Sequence, residues 1–200
     1  MMGEVPFLSG KDIYLRGLVE ADAQGPYPTW FNDAEVCRGN SHHVFPHSAE
    51  GALSYIRQTQ GTDHRLVLAI IRREDGAHIG NVTLDSINYI NRTADLTIII
   101  GDKTAWGKGY GREAARLICS HGFSTLNLNR IAAGTFEDNV GFRKIAAYLG
   151  MLEEGRRRQA AYKDGKYLDV IEHGLLRDEF LHRFAAQSTS DAARNRGERA

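Results

Sequence analysis

The stretch that most constrains this chain is Trp106-Gly107-Lys108-Gly109-Tyr110-Gly111-Arg112, with glycines on alternate positions. It follows the apolar run Leu96 to Ile100 and precedes a helical pattern that begins at Glu113. Glycine takes backbone torsions closed to other residues and lets another group approach closely. Between a strand and a helix start, such a loop points free N–H groups and the positive end of the helix dipole at whatever lies above it. An anion such as a phosphate suits that position, and Lys108 and Arg112 add positive charge at the rim. The loop reads as a phosphate cradle whose kind the rest of the chain must specify.

The flanking pattern supplies the architecture. Asp12 to Val19 reads as a first strand, and Pro26 and Pro28 break or delay any helix approaching Trp30. Asn32 to Pro46 is a loop carrying Cys37, His42, His43 and Phe45; Ser48 then caps a helix with Leu53, Tyr55 and Ile56. Arg65 to Ile71 is almost wholly apolar, which predicts a strand covered on both faces. Glu74-Asp75-Gly76 turns it into a returning strand, His78 to Leu84, and Asn91-Arg92-Thr93 turns the chain again into Ala94 to Ile100. Beyond the glycine loop, Ala114, Leu117, Ile118 and His121 follow helical spacing, with the carboxylate of Glu113 in the first turn. Arg130 to Phe136 is the next strand, and Glu137-Asp138-Asn139 caps a helix that Gly150 stops. Met151 to Tyr162 and Lys166 to Leu176 form two strands joined by a Lys163-Asp164-Gly165 turn, and Arg177 to Ala186 a last short helix. Residues 1–11 are expected to be a lead-in, 12–180 a single domain, and 181–200 a polar tail that stays disordered. The expected fold class is mixed α/β (α+β), with a largely antiparallel first half.

Composition narrows the partners. The 200 residues hold 25 basic and 25 acidic side chains, so nothing favours non-specific nucleic-acid binding. Two cysteines, Cys37 and Cys119, form no motif and suit a reducing compartment. The start lacks the features of a signal peptide, and the apolar runs are too short to span a bilayer. A cytoplasmic protein with no nucleic-acid or membrane partner, monomer or homodimer, is expected. His42-His43 matches no metal-ligand spacing, so no metal is expected either.

Two of the common glycine loops fail. A P-loop ends in Gly-Lys-Ser/Thr, whereas Gly111 precedes Arg112-Glu113. A dinucleotide fingerprint needs G-x-G-x-x-G inside a parallel unit; the spacing here is G-x-G-x-G, after an antiparallel meander. Strand, Trp106 to Ala114 loop, helix, strand and the Asn139 to Gly150 helix together resemble the GNAT superfamily of acetyl-CoA-dependent N-acetyltransferases. The resemblance covers about Asp12 to Leu176, and Arg16 with Trp30-Phe31-Asn32-Asp33 looks like the RimJ/RimL-type branch. Gly109 and Gly111 match the signature [QR]-x-x-G-x-[GA], and Trp106 stands where Gln or Arg is usual.

The resemblance implies an acyl-CoA N-acyltransferase fold whose mixed, mostly antiparallel sheet is splayed at the cofactor site. It implies that main chain at Ile98, Ile99 and Ile100 pairs with the pantetheine arm of coenzyme A. It implies that the backbone of Trp106, Gly107, Lys108, Gly109, Tyr110, Gly111 and Arg112 holds the pyrophosphate, and that Asn139 contacts the arm. Phe142 and Ala146 occupy the family's Ser/Ala and Tyr positions, so the usual thiolate-protonating tyrosine is absent; Tyr148 is an alternative acid on a different helix face. The implied reaction is direct attack by a primary amine on the thioester, with Asp95 as candidate base and Asp85 as second. The competing reading of Asp95 is an ordinary strand aspartate paired with Arg92. Acceptor contacts are expected from the Asn32 to Pro46 loop, the Asp85 to Arg92 hairpin and the last two strands, with Trp30, His42, His43, Asn88 and Tyr89 as candidates. The competing reading of His42 and His43, and the favoured one, is a solvated pair, and Arg156-Arg157-Arg158 is a solvated face or an anion contact; Tyr167 and Asp169 are of the same uncommitted kind. The acceptor expected is a small amine such as an amino sugar; the alternatives are a peptide N-terminus and a non-catalytic coenzyme-A-binding module.

Overall fold

A computed structural model describes residues 5–185 of the chain. The sheet begins with β1 (Leu8–Ser9), β2 (Ile13–Gly17), β3 (Leu66–Arg72), β4 (His78–Asn88) and β5 (Thr93–Ile100). It is completed by β6 (Arg130–Phe136), β7 (Leu152–Lys163) and β8 (Lys166–Leu176). The helices are α1 (Tyr27–Trp30), α2 (Ala49–Thr59), α3 (Tyr110–Ser124) and α4 (Val140–Leu149), followed by α5 over residues 177–185. The eight strands form one sheet in the order β1-β2-β3-β4-β5-β6-β8-β7, and β5–β6 is its parallel pairing.

β3 shows why the sheet is covered on both faces. Its side chains alternate, Leu68 and Ile70 entering a core under α3 and α4, while Val67, Ala69 and Ile71 enter a second core under α1 and α2. Ser48 caps α2 by accepting from the Gly51 N–H at 3.1 Å. Among the described residues, no helix is long and apolar enough to cross a membrane.

Three expected boundaries move. Leu8–Ser9 pairs with Tyr14–Leu15, so part of the 1–11 lead-in belongs to the sheet. Phe180 is buried in the core and Phe184 packs on Phe180 and Tyr148, so the domain continues past 180 through α5. Of the disordered tail expected over 181–200, residues 181–185 are helical, and 186–200 lie outside the described residues. Lys163 belongs to β7 rather than to the turn: Asp164 and Gly165 both take positive φ (50° and 81°), the geometry of a two-residue hairpin, and Lys163 pairs with Lys166.

A buried ion pair ties β2 to the segment that follows it. Arg16 on β2 donates two 2.8 Å hydrogen bonds to Asp22, which also accepts from the Val19 N–H, and the His78 ring lies 3.4 Å away. Burial opposes ionisation of Asp22, but Arg16, His78 and the Val19 amide outweigh it and hold the carboxyl far below its ordinary value of 3.8. Asp22→Asn strands the guanidinium and should cost roughly 3–5 kcal/mol in urea unfolding. Because the folded value is depressed, the wild-type contribution is full above the unfolded aspartate value and is lost as pH falls through the folded one. A stability–pH curve unchanged by the substitution would refute this role.

Candidate active site

β5 and β6 pair over only Thr93–Asp95 and Arg130–Ala132, and then diverge. Past that vertex, Ile98, Ile99 and Ile100 stay bonded to β4 through Val82, Asn81 and Gly80, while their other edge faces a gap. All three are half-buried, so their side chains pack while the backbone toward β6 is open to a strand-like guest. The glycine loop closes the wide end of this slot. Gly109 is the N-cap of α3 at φ 92°, a left-handed torsion that turns the first amides of the helix outward. Lys108 and Arg112 are exposed beside it. Trp106 has a role its departure from the signature concealed: its indole N–H donates to the Ile100 carbonyl at 2.8 Å, tying the loop to the end of β5. A slot with a free strand edge, ending in a helix N-terminus flanked by cations, fits a pantetheine arm and its pyrophosphate. The carriers of that fit are Ile98, Ile99 and Ile100 and the 106–112 loop.

Asn139 stands on the opposite wall, with its side chain fully engaged. Its Oδ1 accepts from the Phe142 N–H at 3.0 Å, capping α4, and its Nδ2 donates to the Gly39 carbonyl at 2.9 Å. The amide expected to meet the coenzyme arm also ties the 32–47 loop to the start of α4. That loop is closed at its neck by Asn32, which donates to the His47 carbonyl at 2.7 Å and accepts from the His47 N–H at 2.8 Å. Further along, Lys163 donates to the His42 carbonyl at 2.7 Å. Asn32 belongs to the Trp30–Asp33 run but its loop-closing role was not readable there, and Lys163 carries no motif; each matters through a contact distant in sequence.

At the vertex, Asp95 and Asp85 stand opposite one another on β5 and β4. Asp95 is exposed by area, but partial desolvation by its neighbours and then the charge of Asp85 push its carboxyl above its ordinary value. Asp85 moves the other way: burial opposes ionisation, but the Arg65 guanidinium at 2.8 Å and the Ser86 N–H keep it low. A paired, depressed carboxylate is a poor base, which removes Asp85 as the second candidate. The expected Asp95–Arg92 pair does not form; Arg92 donates instead to the Asn127 carbonyl and side chain. Ala132 and Gly134 follow one another on one face of β6, with the Glu172 and Val170 side chains of β8 packed over Gly134.

The remaining candidates separate. Trp30 is buried edge-on to the Tyr27 and His78 rings, a core residue that also borders a cavity of about 580 Å³ with Asp33, Asp102 and Lys103. His42, exposed by area, packs edge-on to Phe31 (centroids 4.6 Å apart) and His47 (5.9 Å), and partial desolvation, His47 and Lys163 depress its pKa. His43 is exposed in a left-handed turn, which separates it from its neighbour. Asn88 accepts from the Asn91 N–H, and the Tyr89 hydroxyl donates to the Asp63 carbonyl, so both brace the turn at the end of β5 away from the glycine loop. Tyr148 lies against Phe184 and under the Arg112 guanidinium, turned from the buried Phe142–Ala146 face; the acid role considered for it has no geometric support. Arg156 pairs with Glu137 and Asp169, and Arg157 with Glu172, while Tyr167 packs edge-on to Tyr162.

Comparison with known proteins agrees with this geometry. A family model described as an acetyltransferase (GNAT) domain matches residues 12–152. The spermidine N(1)-acetyltransferase of Vibrio cholerae serotype O1 is 32% identical over 105 residues, 52% of this chain and 60% of that protein. YoaA of Bacillus subtilis (strain 168), an uncharacterized N-acetyltransferase, is 27% identical over 86% of this chain and 97% of its own length. Several matched relatives are covered over less than two thirds of their length, from 57% to 62%. The crystal structure of the Vibrio cholerae spermidine N-acetyltransferase with CoA and spermine superposes with a TM-score of 0.78 at 23% identity, covering 86% of this chain and 99% of that one.

The cradle is testable at one residue. Gly109→Val forces a β-branched side chain into a left-handed torsion, a strain of roughly 1–3 kcal/mol that redirects the loop amides. Acetyl-CoA affinity should fall by at least about tenfold by calorimetry in a protein that still melts cooperatively. Wild-type affinity in the folded variant would refute the cradle.

Proposed function

The chain belongs to the GNAT acetyltransferase family, and on that premise we propose that it is an acetyl-CoA-dependent N-acetyltransferase whose acceptor is a small primary amine. One observation carries the reading: the β5–β6 ladder stops at Asp95–Ala132 and leaves the β5 backbone free beside the glycine loop. Arg16 and the Trp30–Asp33 run favour the RimJ/RimL-type branch, and two free, buried cysteines suit a cytoplasmic protein. The spermidine acetyltransferases among the relatives act on a small amine, which favours such an acceptor over a protein terminus.

In the reaction that follows, Asp95 takes a proton from the acceptor ammonium, directly or through water, and frees the nitrogen lone pair. The nitrogen attacks the thioester carbonyl while a β5 N–H along the slot polarises its oxygen. The C–S bond then breaks, the nitrogen loses its second proton, and the coenzyme leaves as a thiol. With Ala146 in place of a tyrosine, the thiolate takes its proton from water or from the amine rather than from α4.

Asp95 works as a base only when ionised, so kcat/KM should rise with pH through its elevated pKa. Asp95→Asn should remove that acid limb and lower kcat by about 10²–10⁴-fold, with acetyl-CoA affinity unchanged. An unaltered kcat would remove Asp95 from the mechanism. Coenzyme A binding with no thiol release across an amine panel would sink the transferase reading in favour of a silent binding module.

A further inference from the structure

The β4–β5 ladder breaks beside Asp95. Asp85 pairs with Asp95 and Asn88 with Thr93, so Ser86 and Ile87 together oppose Ala94. Ile87 and Ala94 are both buried in the core under α3 and α4. Ser86 is therefore the extra residue of a β-bulge, left exposed beside Asp85 and Asp95. Its φ is 51°, a left-handed torsion that glycine adopts freely and serine adopts only at a cost. Glycine would make the same bend without that cost; what serine adds is a hydroxyl.

Ser86 reaches both carboxylates. Its N–H donates to Asp85 Oδ1 at 2.8 Å, and its side chain hydrogen-bonds with Asp95 in the sense that favours the ionised carboxyl. The charged groups acting on Asp95 are engaged elsewhere. Asp85 on β4 is held by Arg65, Arg130 on β6 is paired with Glu154 on β7, and Glu172 on β8 is paired with Arg157. Asp85 and Glu172 oppose ionisation of Asp95, and Arg130 favours it from within its own pair. The Ser86 hydroxyl is a neutral donor at a carboxylate otherwise ringed by charges.

We propose that Ser86 is the positioning residue of Asp95: the bulge carries its hydroxyl to the carboxylate and fixes the orientation in which Asp95 meets the acceptor amine. This rests on the acetyl-transfer reading with Asp95 as its base, and adds the group that aims the base. The strained torsion and the contact belong together, because a regular ladder would turn position 86 to the opposite face of the sheet.

Ser86→Gly keeps the torsion and removes the hydroxyl, whereas Ser86→Asn tolerates the torsion and restores a side-chain donor. The Asp95 carboxyl, assigned by its loss in Asp95→Asn, is titrated by carbon-detected NMR with coenzyme A bound. It should titrate at higher pH in Ser86→Gly than in wild type, because the ionised form loses a donor. Spermidine and glucosamine serve as acceptors, with thiol release as the readout. The acid limb of kcat/KM should move to higher pH with the carboxyl, and kcat above that limb should fall about threefold to tenfold. Acetyl-CoA affinity by calorimetry should stay at its wild-type value, and Ser86→Asn should recover part of both effects. In an Asp95→Asn background, Ser86→Gly should lower kcat no further, since the two act through one group.

An Asp95 titration that Ser86→Gly leaves in place overturns the proposal. So does a displaced titration with wild-type kcat and acid limb, or a loss of kcat as large in Asp95→Asn as in wild type. Failure of the base reading would appear separately, as an unaltered kcat in Asp95→Asn alone. Failure of the transfer reading would appear as absent thiol release from the wild type. The carboxyl titration needs no turnover and decides in either case whether Ser86 holds Asp95.

Discussion

The structure depends on a ladder that stops early. Two neighbouring strands pair for three residues and then separate, leaving one strand edge of a central sheet without a protein partner. Unpaired peptide groups shut away from water are costly, so such an edge persists only if it stays wet or is filled by a guest with its own amides. The half-exposure of Ile98 to Ile100 keeps the edge wet, and the Trp106 indole satisfies the Ile100 carbonyl where the slot meets the loop. The gap is held from both sides. β5 is bound along its other edge to β4, and β6 is bound along its other edge to β8 over seven residue pairs. Closing it would break one of those ladders.

The 32–47 segment is held by a different logic. It has almost no regular structure, yet Asn32 closes its neck and Asn139 from α4, Lys163 from β7 and Lys103 fasten it from outside. Asn139 does this while capping its own helix, so the position of the loop and the start of α4 share one amide. A displacement of the loop would be felt at the start of α4, because one side chain holds both.

Much of this was legible from local pattern. The strand over Arg130 to Phe136, the Asn139 cap and the Ser48 cap follow from residue types whose preferences act within a few positions. The glycine loop was legible because its glycines are required by torsion, as φ 92° at Gly109 shows. What stayed hidden depends on partners far away in sequence. Asp85 and Asp95 looked alike until Arg65 was found on one and not the other. Lys163 looked like a turn residue because Lys-Asp-Gly is a turn composition; the two-residue turn excludes it and folds it inward. Tyr148 and Trp30 were plausible by residue type, and only packing shows that one serves α5 and the other the second core.

The exchange of the usual polar residue for Trp106 has an optical consequence. The chain has two tryptophans, and they occupy unlike surroundings. Trp30 is sealed in a core against His78 and Tyr27, whereas Trp106 is 38% exposed with its indole bonded at the mouth of the slot. The protein therefore carries one emitter shielded from solvent and one at the entrance that its cofactor must pass. Emission from the second is a built-in gauge of occupancy, needing no label and no turnover.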